Sequence, residues 1–299
     1  MTATATIHQS EQCLLRPGNT NCGGCGMSLG LTMLGRALAE AGDTCTLVIP
    51  ACCGIVTAGA FPTTSYGVPT IATTFASSPA VASGVATILD LNAEPGHVIC
   101  WAGDGGTYDI GLATLSAAAE RNENIIYICY DNEIYGNTGG QRSSATPAGA
   151  RTSTTPQGKA ENKKDIMSIM TAHRIPYAAT LSIAHPDDFA HKISTALSIE
   201  GMRFLLLHSP CPTGWKSEPE DSVKLVRLAV ASGLFPLYEV YDGVTYRVNV
   251  EPDGTDPAEY FHRQRRFEDE EIDLNATRRD CSDRTQRLRA LATQYPPDR

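Results

Sequence analysis

The sequence lacks the features that would assign it to several broad classes of protein. No apolar run in its 299 residues reaches the length of a membrane span. The first fifteen residues contain neither Lys nor Arg, so we expect no Sec-type signal. The net charge of −9 argues against the phosphate backbone of a nucleic acid as a partner. We therefore expect a cytoplasmic protein that binds neither membrane nor nucleic acid.

Familiar catalytic motifs are also missing. The sequence has no nucleophile elbow, no H-E-x-x-H helix and no G-x-x-x-x-G-K-[ST] phosphate loop. Tyr108 takes the third glycine position of a G-x-G-x-x-G pattern that starts at Gly103, which argues against a dinucleotide fingerprint. Only seven histidines occur, and we predict structural roles for the three beside apolar runs, which are His97, His173 and His208.

The sequence does contain a glycine-rich junction, GDGGTYDIG, between an apolar strand pattern (97–104) and a helical pattern (110–122). At such a junction, backbone N–H groups and the positive end of the helix dipole can hold a diphosphate. An ordinary glycine-rich turn is the alternative interpretation. A second strand pattern (124–131) leads into DNEIYGNTGGQ, where Asn132 offers an amide oxygen to a metal. The two segments together resemble the diphosphate-binding domain of thiamine diphosphate enzymes.

Ten cysteines are many for a chain expected in a reducing compartment. Cys100 and Cys129 lie in apolar strand patterns and are predicted to be core residues. Cys22 and Cys25 form a C-x-x-C pair, and further thiolates follow two strand patterns, at Cys52 or Cys53 and at Cys211. A redox dithiol would leave the later cysteines unexplained. Spacing alone does not separate zinc from an iron–sulfur cluster. A diphosphate cofactor that generates electron-rich carbanions needs an electron acceptor, which favours the cluster.

Five motifs in order resemble the beta subunit of pyruvate:ferredoxin oxidoreductase, from about residue 21 to about residue 267. The motifs are NCGGCG, FPTTSYGVPTIATTFASSPAVASG, GDGGTYDIG, DNEIYGNTGGQRSSATPAGARTSTTPQGK, and HSPCPTGW followed by VRLAVASGLFPLYEV. The resemblance implies thiamine diphosphate, Mg²⁺ and a [4Fe–4S] cluster as cofactors.

The resemblance also implies which residues hold these groups. Cluster ligands would be Cys22, Cys25, Cys53 and Cys211, with Cys53 preferred to Cys52 because the apolar stretch GIV fits the family when counted from Cys53. Magnesium would bind Asp104, the side chain of Asn132 and the backbone carbonyl of Ile134. The diphosphate would be lined by Gly103, Gly105, Gly106, Asn137 and Thr138. Asn137 would lie near the reacting end of the cofactor as the catalytic residue, although NTGG is also good turn chemistry.

The implied function is the oxidative decarboxylation of a 2-oxo acid to acyl-CoA and CO₂, with electrons passing from thiamine diphosphate to the cluster. We expect pyruvate as substrate, with phenylglyoxylate or oxalate as alternatives, and ferredoxin or another acceptor. No Glu stands where the family's cofactor-activating glutamate would be needed. That residue comes from a partner in relatives, so we expect alpha, gamma and delta-type subunits.

The sequence leaves two other functions open. A thiamine decarboxylase or synthase without a cluster predicts a second, pyrimidine-binding domain, for which we expect no room in 299 residues. A non-catalytic iron–sulfur subunit that only relays electrons predicts no bound thiamine diphosphate.

Alternating helix and strand patterns predict an α/β fold with a doubly wound, mostly parallel sheet. We predict an N-terminal extension (1–20), a thiamine diphosphate-binding domain with the cluster site (21–250) and a charged C-terminal arm (251–299). The arm is expected to be solvated, with attachment to another subunit as the sharper alternative. The polar segment 138–159 is predicted to be a long loop that wraps the cofactor or contacts a partner.

Overall fold

Eight strands form one sheet at the centre of the computed structural model, which describes residues 13–56, 64–267 and 272–296. The strands are β1 (Cys45–Pro50), β2 (Thr70–Thr73), β3 (His97–Gly103), β4 (Ile126–Asp131), β5 (Tyr177–Ser182), β6 (Arg203–His208), β7 (Leu237–Tyr241) and β8 (Thr245–Val250). Their spatial order is β2-β1-β3-β4-β6-β5-β7-β8. The strands from β2 to β5 in this order are parallel, whereas β7 and β8 are antiparallel. The predicted α/β fold with a mostly parallel sheet is confirmed.

Helices cover both faces of the sheet. They are α1 (Gly26–Ala41), α2 (Cys53–Val56), α3 (Ser78–Asn92), α4 (Leu112–Glu120), α5 (Ile166–Ala172), α6 (Pro186–Ser198), α7 (Pro212–Trp215), α8 (Ser222–Ala231), α9 (Ala258–Phe261) and α10 (Leu274–Gln294). The buried side chains of α1 and α6 belong to the core on one face. Those of α3, α4 and α5, and most of those of α8, belong to the core on the other. The sheet is therefore doubly wound.

The central strand β3 shows why a run of apolar residues forms such a layer. Val98, Cys100 and Ala102 pack into one core, and Ile99 and Trp101 pack into the other. Successive side chains of a strand point to opposite faces, so a strand covered on both sides needs apolar residues throughout. Each large aliphatic side chain buried in this way contributes about 1.5–3 kcal/mol. Cys100 is fully buried, as predicted for a core residue, and Cys129 in β4 is too.

The C-terminal part of the chain differs from the predicted solvated arm in one respect. Tyr260, Phe261 and Phe267 are buried in the same core as the central strands, so residues 260–267 pack against the domain. By contrast, α10 is mostly exposed and lies against β8. Through the described ranges, we find no helix with both the length and the apolar character that crossing a bilayer requires.

Two elements have no counterpart in the sequence prediction. The edge strand β2 is only four residues long, and the β7–β8 hairpin extends the sheet with antiparallel pairing. The long loop was predicted correctly: residues 138–159 contain no helix or strand. Ser143 and Ser144 in this loop donate hydrogen bonds to Asp104 and Asp109, so the loop folds over the glycine-rich junction.

Candidate cofactor and cluster site

The candidate site lies at the carboxyl ends of four neighbouring strands. From β1 the chain proceeds to β2 at one edge of the sheet, and from β3 it proceeds to β4 in the other direction. Such a change of direction opens a crevice between adjacent strands, where open α/β sheets bind their ligands. The segments that follow β1, β3, β4 and β6 contain most of the residues predicted to bind cofactors, whereas Gly103 ends β3, and Cys22 and Cys25 lie before α1.

The glycine-rich junction turns directly from strand into helix. Residues Gly105–Asp109 form a single π-helical turn, in which the N–H of Ile110 donates to the carbonyl of Gly105 at 3.3 Å, and α4 follows. A Cβ on Gly105 would lie 2.2 Å from the ring of Tyr135, so glycine is required there. A π turn is uncommon and occurs frequently at functional sites.

Asp104 is a buried carboxylic acid at this turn. The hydroxyl of Ser143 donates a hydrogen bond to Asp104 Oδ2 at 2.5 Å. Burial, together with the neighbouring carboxyl of Asp131, raises the pKa of Asp104 well above its usual value. Burial also raises the pKa of Asp131, although Lys163 Nζ lies 2.7 Å from its Oδ2. A buried carboxyl group whose charge is destabilised in this way suits a site for a divalent cation.

The loop after β4 holds the other predicted magnesium ligands. Asn132 Oδ1 accepts a hydrogen bond from the N–H of Ile134 at 3.3 Å, and the indole Nε1 of Trp215 donates to the Asn132 carbonyl at 2.7 Å. Glu133 between them has a φ of +63°, a left-handed conformation that is unusual for a residue other than glycine. The carboxylate of Asp104, an amide oxygen and a backbone carbonyl are hard oxygen ligands of the kind that Mg²⁺ prefers.

All eight residues predicted to bind the cofactor line one cavity of about 190 Å³. These residues are Gly103, Asp104, Gly105, Gly106, Asn132, Ile134, Asn137 and Thr138. Asn137 and Thr138 are exposed at the rim, where the hydroxyl of Thr138 donates to Gln141 Oε1 at 2.7 Å. Cys53 also lines this cavity. Among the described lining residues, Asp104 is the only carboxylic acid.

The structure brings the four predicted cluster ligands to the same edge of the sheet. Cys25 immediately precedes α1, Cys53 begins α2, and Cys211 immediately precedes α7. The Sγ atoms of Cys211 and Cys53 would lie 3.8 and 3.9 Å from a Cβ placed on Gly136. Gly136 belongs to the same loop as the predicted magnesium ligands, so this loop separates the two groups of predicted ligands.

The segment after β6 donates hydrogen bonds to two of the predicted cluster ligands. The N–H of Gly214 donates to Cys211 Sγ at 3.4 Å, and the hydroxyl of Thr213 donates to Cys22 Sγ at 4.0 Å. N–H and O–H donors of this kind stabilise a thiolate. Gly24, between the two cysteines of the pair, has a φ of +71°, and a Cβ there would lie 2.3 Å from the carbonyl oxygen of Pro219. The C-x-x-C turn therefore requires glycine.

Cys52 and Cys53 have different surroundings. The thiol of Cys52 donates to the carbonyl of Pro50 at 2.9 Å, and burial raises its pKa. Burial raises the pKa of Cys53 to about 12, with further contributions from Cys211, Cys52, Cys25 and Cys22. Within the described parts of the chain, no three His, Cys, Asp or Glu side chains converge closely enough to hold one metal ion.

Several residues of the site were missed by the sequence analysis. Lys163 and Arg266 lie far along the chain, and both form ion pairs with Glu133, at 2.9 and 2.5 Å. Burial raises the pKa of Glu133, but these two cations outweigh burial and leave the pKa at about 2. Nothing in the sequence separates Arg266 from the other charges of RQRRFEDEEID. Trp215 is the exception among these supporting residues, because it lies within the motif HSPCPTGW.

The chain is similar to known proteins over most of its length. The family described as "Thiamine pyrophosphate enzyme, C-terminal TPP binding domain" matches residues 51–208. The chain is 44% identical over 264 residues to pyruvate synthase subunit PorB of Methanothermobacter marburgensis, covering 86% of this chain and 90% of that protein. It is 42% identical over 293 residues to ketoisovalerate oxidoreductase subunit VorB of Pyrococcus horikoshii, covering 93% of each.

The chain belongs to the thiamine diphosphate-dependent 2-oxoacid:ferredoxin oxidoreductase family. The family resemblance and the class of enzyme inferred from the five motifs are therefore confirmed. A solved structure of 2-oxoglutarate:ferredoxin oxidoreductase from Magnetococcus marinus shares the fold, with a TM-score of 0.63 and 22% identity. It covers 91% of this chain and 96% of that one.

Proposed function

We propose that this chain is the subunit that binds thiamine diphosphate in a 2-oxoacid:ferredoxin oxidoreductase and passes electrons to its own [4Fe–4S] cluster. The supporting observation is the shared cavity. All eight residues predicted to bind the cofactor line it together with Cys53, a predicted cluster ligand. A cofactor held there would lie beside the thiolates that hold the acceptor.

Each group of residues has one task in this proposal. Asp104, Asn132 and the carbonyl of Ile134 hold Mg²⁺, and the backbone at Gly105 and Gly106 approaches the diphosphate. Asn137, at the rim, lies near the reacting end. Cys22, Cys25, Cys53 and Cys211 hold the cluster. Bound thiamine diphosphate supplies the carbanion chemistry of decarboxylation, and the protein supplies position and electrostatics.

The site requires a partner chain. A cavity of about 190 Å³ is small beside the roughly 300–1,000 Å³ typical of small-molecule sites. Its described lining contains no Glu to activate the cofactor. We therefore propose that alpha, gamma and delta-type subunits complete the enzyme in the cytoplasm, with ferredoxin as acceptor and coenzyme A as acyl acceptor.

Pyruvate is the proposed substrate. Relatives named for pyruvate and for ketoisovalerate are 44% and 42% identical to this chain, so ketoisovalerate is the second candidate. Both are 2-oxo acids with small aliphatic side chains.

The test is to purify the native complex and measure its thiamine diphosphate, iron and acid-labile sulfide. Reduction of a viologen dye, dependent on coenzyme A, is then compared for pyruvate, ketoisovalerate, phenylglyoxylate and oxalate. We expect stoichiometric cofactor, cluster absorption and the highest kcat/KM with pyruvate. Zinc in place of iron and sulfide, or absence of thiamine diphosphate, would contradict the proposal.

A further inference from the structure

Arg266 reaches the candidate site from the C-terminal part of the chain. Its side chain is 1% exposed, although it lies in a strongly charged stretch of sequence. The guanidinium Nη2 donates to Glu133 Oε2 at 2.5 Å, and Nε donates to Gln264 Oε1 at 2.9 Å. Its central carbon lies 4.4 Å from the centroid of the Trp215 ring. Burying an arginine so fully requires partners of this quality.

Glu133, the ionic partner of Arg266, lies between two predicted magnesium ligands. Its left-handed backbone is a conformation that persists only where the surroundings enforce it. The side chain is fixed by Arg266 on one carboxylate oxygen and by Lys163, at 2.9 Å, on the other. Holding this side chain therefore holds the backbone of Asn132 and Ile134 on either side.

Trp215, the aromatic partner of Arg266, contacts the same loop from the other direction. Its indole Nε1 donates to the carbonyl of Asn132 at 2.7 Å. Trp215 is the last residue of α7, which Cys211 precedes. A Cβ on Gly214 would lie 2.9 Å from Ile134 Cγ2, so this segment is in close contact with the loop. Arg266 thus lies where the metal-binding loop and the cluster-binding segment meet.

We propose that Arg266 is a positioning residue that fixes the loop Asn132–Ile134 through Glu133 and Trp215 and so sets the affinity of the Mg²⁺ and thiamine diphosphate site. The inference rests on the proposed function, because it concerns the same site. A planar guanidinium suits this role, since it pairs with a carboxylate in its plane and stacks on an aromatic ring with its face. Lysine could supply only the charge.

The experiment measures the Mg²⁺ concentration that half-saturates thiamine diphosphate binding, by calorimetry on the purified, metal-stripped complex. The variant is Arg266→Met, and the control is Arg265→Met, which removes a neighbouring exposed arginine paired with Glu218. We expect a ten- to hundredfold rise for Arg266→Met, as when residues that orient metal ligands are changed, and less than a twofold change for the control. Arg266→Lys should lie between Arg266→Met and wild type.

Two results would overturn the inference. One is an Arg266→Met complex with a lower thermal midpoint but a half-saturating Mg²⁺ concentration within twofold of wild type, which would show a purely structural role. If Arg266→Met does not assemble, Arg266→Lys is measured in its place. A half-saturating Mg²⁺ concentration for Arg266→Lys equal to that of wild type would be the second overturning result. Absence of Mg²⁺-dependent thiamine diphosphate binding in the wild-type complex would instead contradict the proposed function itself.

Trp215→Phe tests the second contact through which Arg266 is proposed to fix the loop Asn132–Ile134. Phenylalanine keeps a ring for the guanidinium and removes the Nε1 donor to Asn132. We expect a smaller rise in the half-saturating Mg²⁺ concentration, of about three- to tenfold, because the Glu133 pair remains. An unchanged half-saturating Mg²⁺ concentration would show that Trp215 has no part in fixing the loop.

Discussion

Two buried carboxylic acids at different places in the sheet have opposite surroundings. Glu239 lies in β7, in the antiparallel part, and is fully buried. It accepts hydrogen bonds from Tyr177 at 2.8 Å, Tyr241 at 2.9 Å and Asn249 at 2.6 Å. Burial acts to raise the pKa of Glu239, but these donors outweigh it, and the pKa is lowered.

Asp104, at the carboxyl end of β3, is in the contrary situation. It is equally buried, but the carboxyl of Asp131 adds to the effect of burial on its pKa, and Ser143 is its side-chain donor. Its pKa is raised well above the usual value. The thiols nearby repeat the pattern, because burial raises the pKa of Cys53 and four other cysteines raise it further.

The difference separates groups that serve the fold from groups that serve a ligand. Around Glu239 the chain itself supplies every partner that a buried charge needs. Around Asp104 and Cys53, acidic groups are collected, and under the proposed function a bound cation would stabilise their negative form. Perturbations of this kind concentrate at functional sites, since cation binding offsets their unfavourable free energy.

The cysteines provide the largest expected effect. Cys53→Ala should abolish the cluster, because Cys53 Sγ and Cys211 Sγ lie 3.9 and 3.8 Å from a Cβ placed on Gly136, whereas Cys52→Ala should retain it, because that thiol donates to the carbonyl of Pro50. Iron and acid-labile sulfide in the purified complex, with the EPR spectrum after reduction, measure the outcome. Loss of the cluster only in Cys52→Ala would reverse the assignment of the ligand.

Asp104→Asn tests whether the buried acid at the end of β3 serves a metal ion. The substitution keeps the shape but removes the charge, so we expect the half-saturating Mg²⁺ concentration for thiamine diphosphate binding to rise by at least about 100-fold. The raised pKa means that the charged form of Asp104 destabilises the metal-free fold at neutral pH. The metal-free variant should therefore melt no lower than wild type, as followed by circular dichroism.

Glu239→Gln is the matched control for that experiment. It should leave the half-saturating Mg²⁺ concentration unchanged, because Glu239 does not line the cofactor cavity. Asp104→Asn could instead lower the melting temperature while Mg²⁺ binding stayed as in wild type. Both carboxylates would then serve the fold, and Asp104 and Glu239 would not differ in role.

The parallel part of the sheet could be predicted from sequence because both of its faces are covered. Strands such as β3 and β4 are apolar throughout and alternate with helical patterns, which is a local signal. The edge strand β2 and the β7–β8 hairpin were missed, since their half-covered residues mix polar and apolar side chains. Their pairing depends on distant parts of the chain.

The candidate site also contains residues that the sequence predicts and residues that it does not. The residues predicted to bind ligands lie within short motifs, so GDGG, DNE and C-x-x-C could be recognised from the sequence. Residues that support those motifs come from elsewhere: Lys163 and Arg266 meet Glu133 only through the fold. Charge alone gave no signal, because Arg266 lies among exposed arginines. Burial, which distinguishes it, is a tertiary property.

The smallest expected effect concerns the stability provided by Glu239 and its dependence on pH. Because the pKa of Glu239 is lowered on folding, its contribution is present above the unfolded value near pH 4.3 and is lost as the pH falls through the folded value. Glu239→Gln removes charged hydrogen bonds, so we expect a destabilisation of about 1.5–3 kcal/mol at pH 7. The difference between the melting temperatures of wild type and variant should stay constant from pH 7 to about pH 5 and shrink in stronger acid. A difference that grew on acidification would show that Glu239 folds in its protonated form, as burial alone would dictate, and the contrast with Asp104 would disappear.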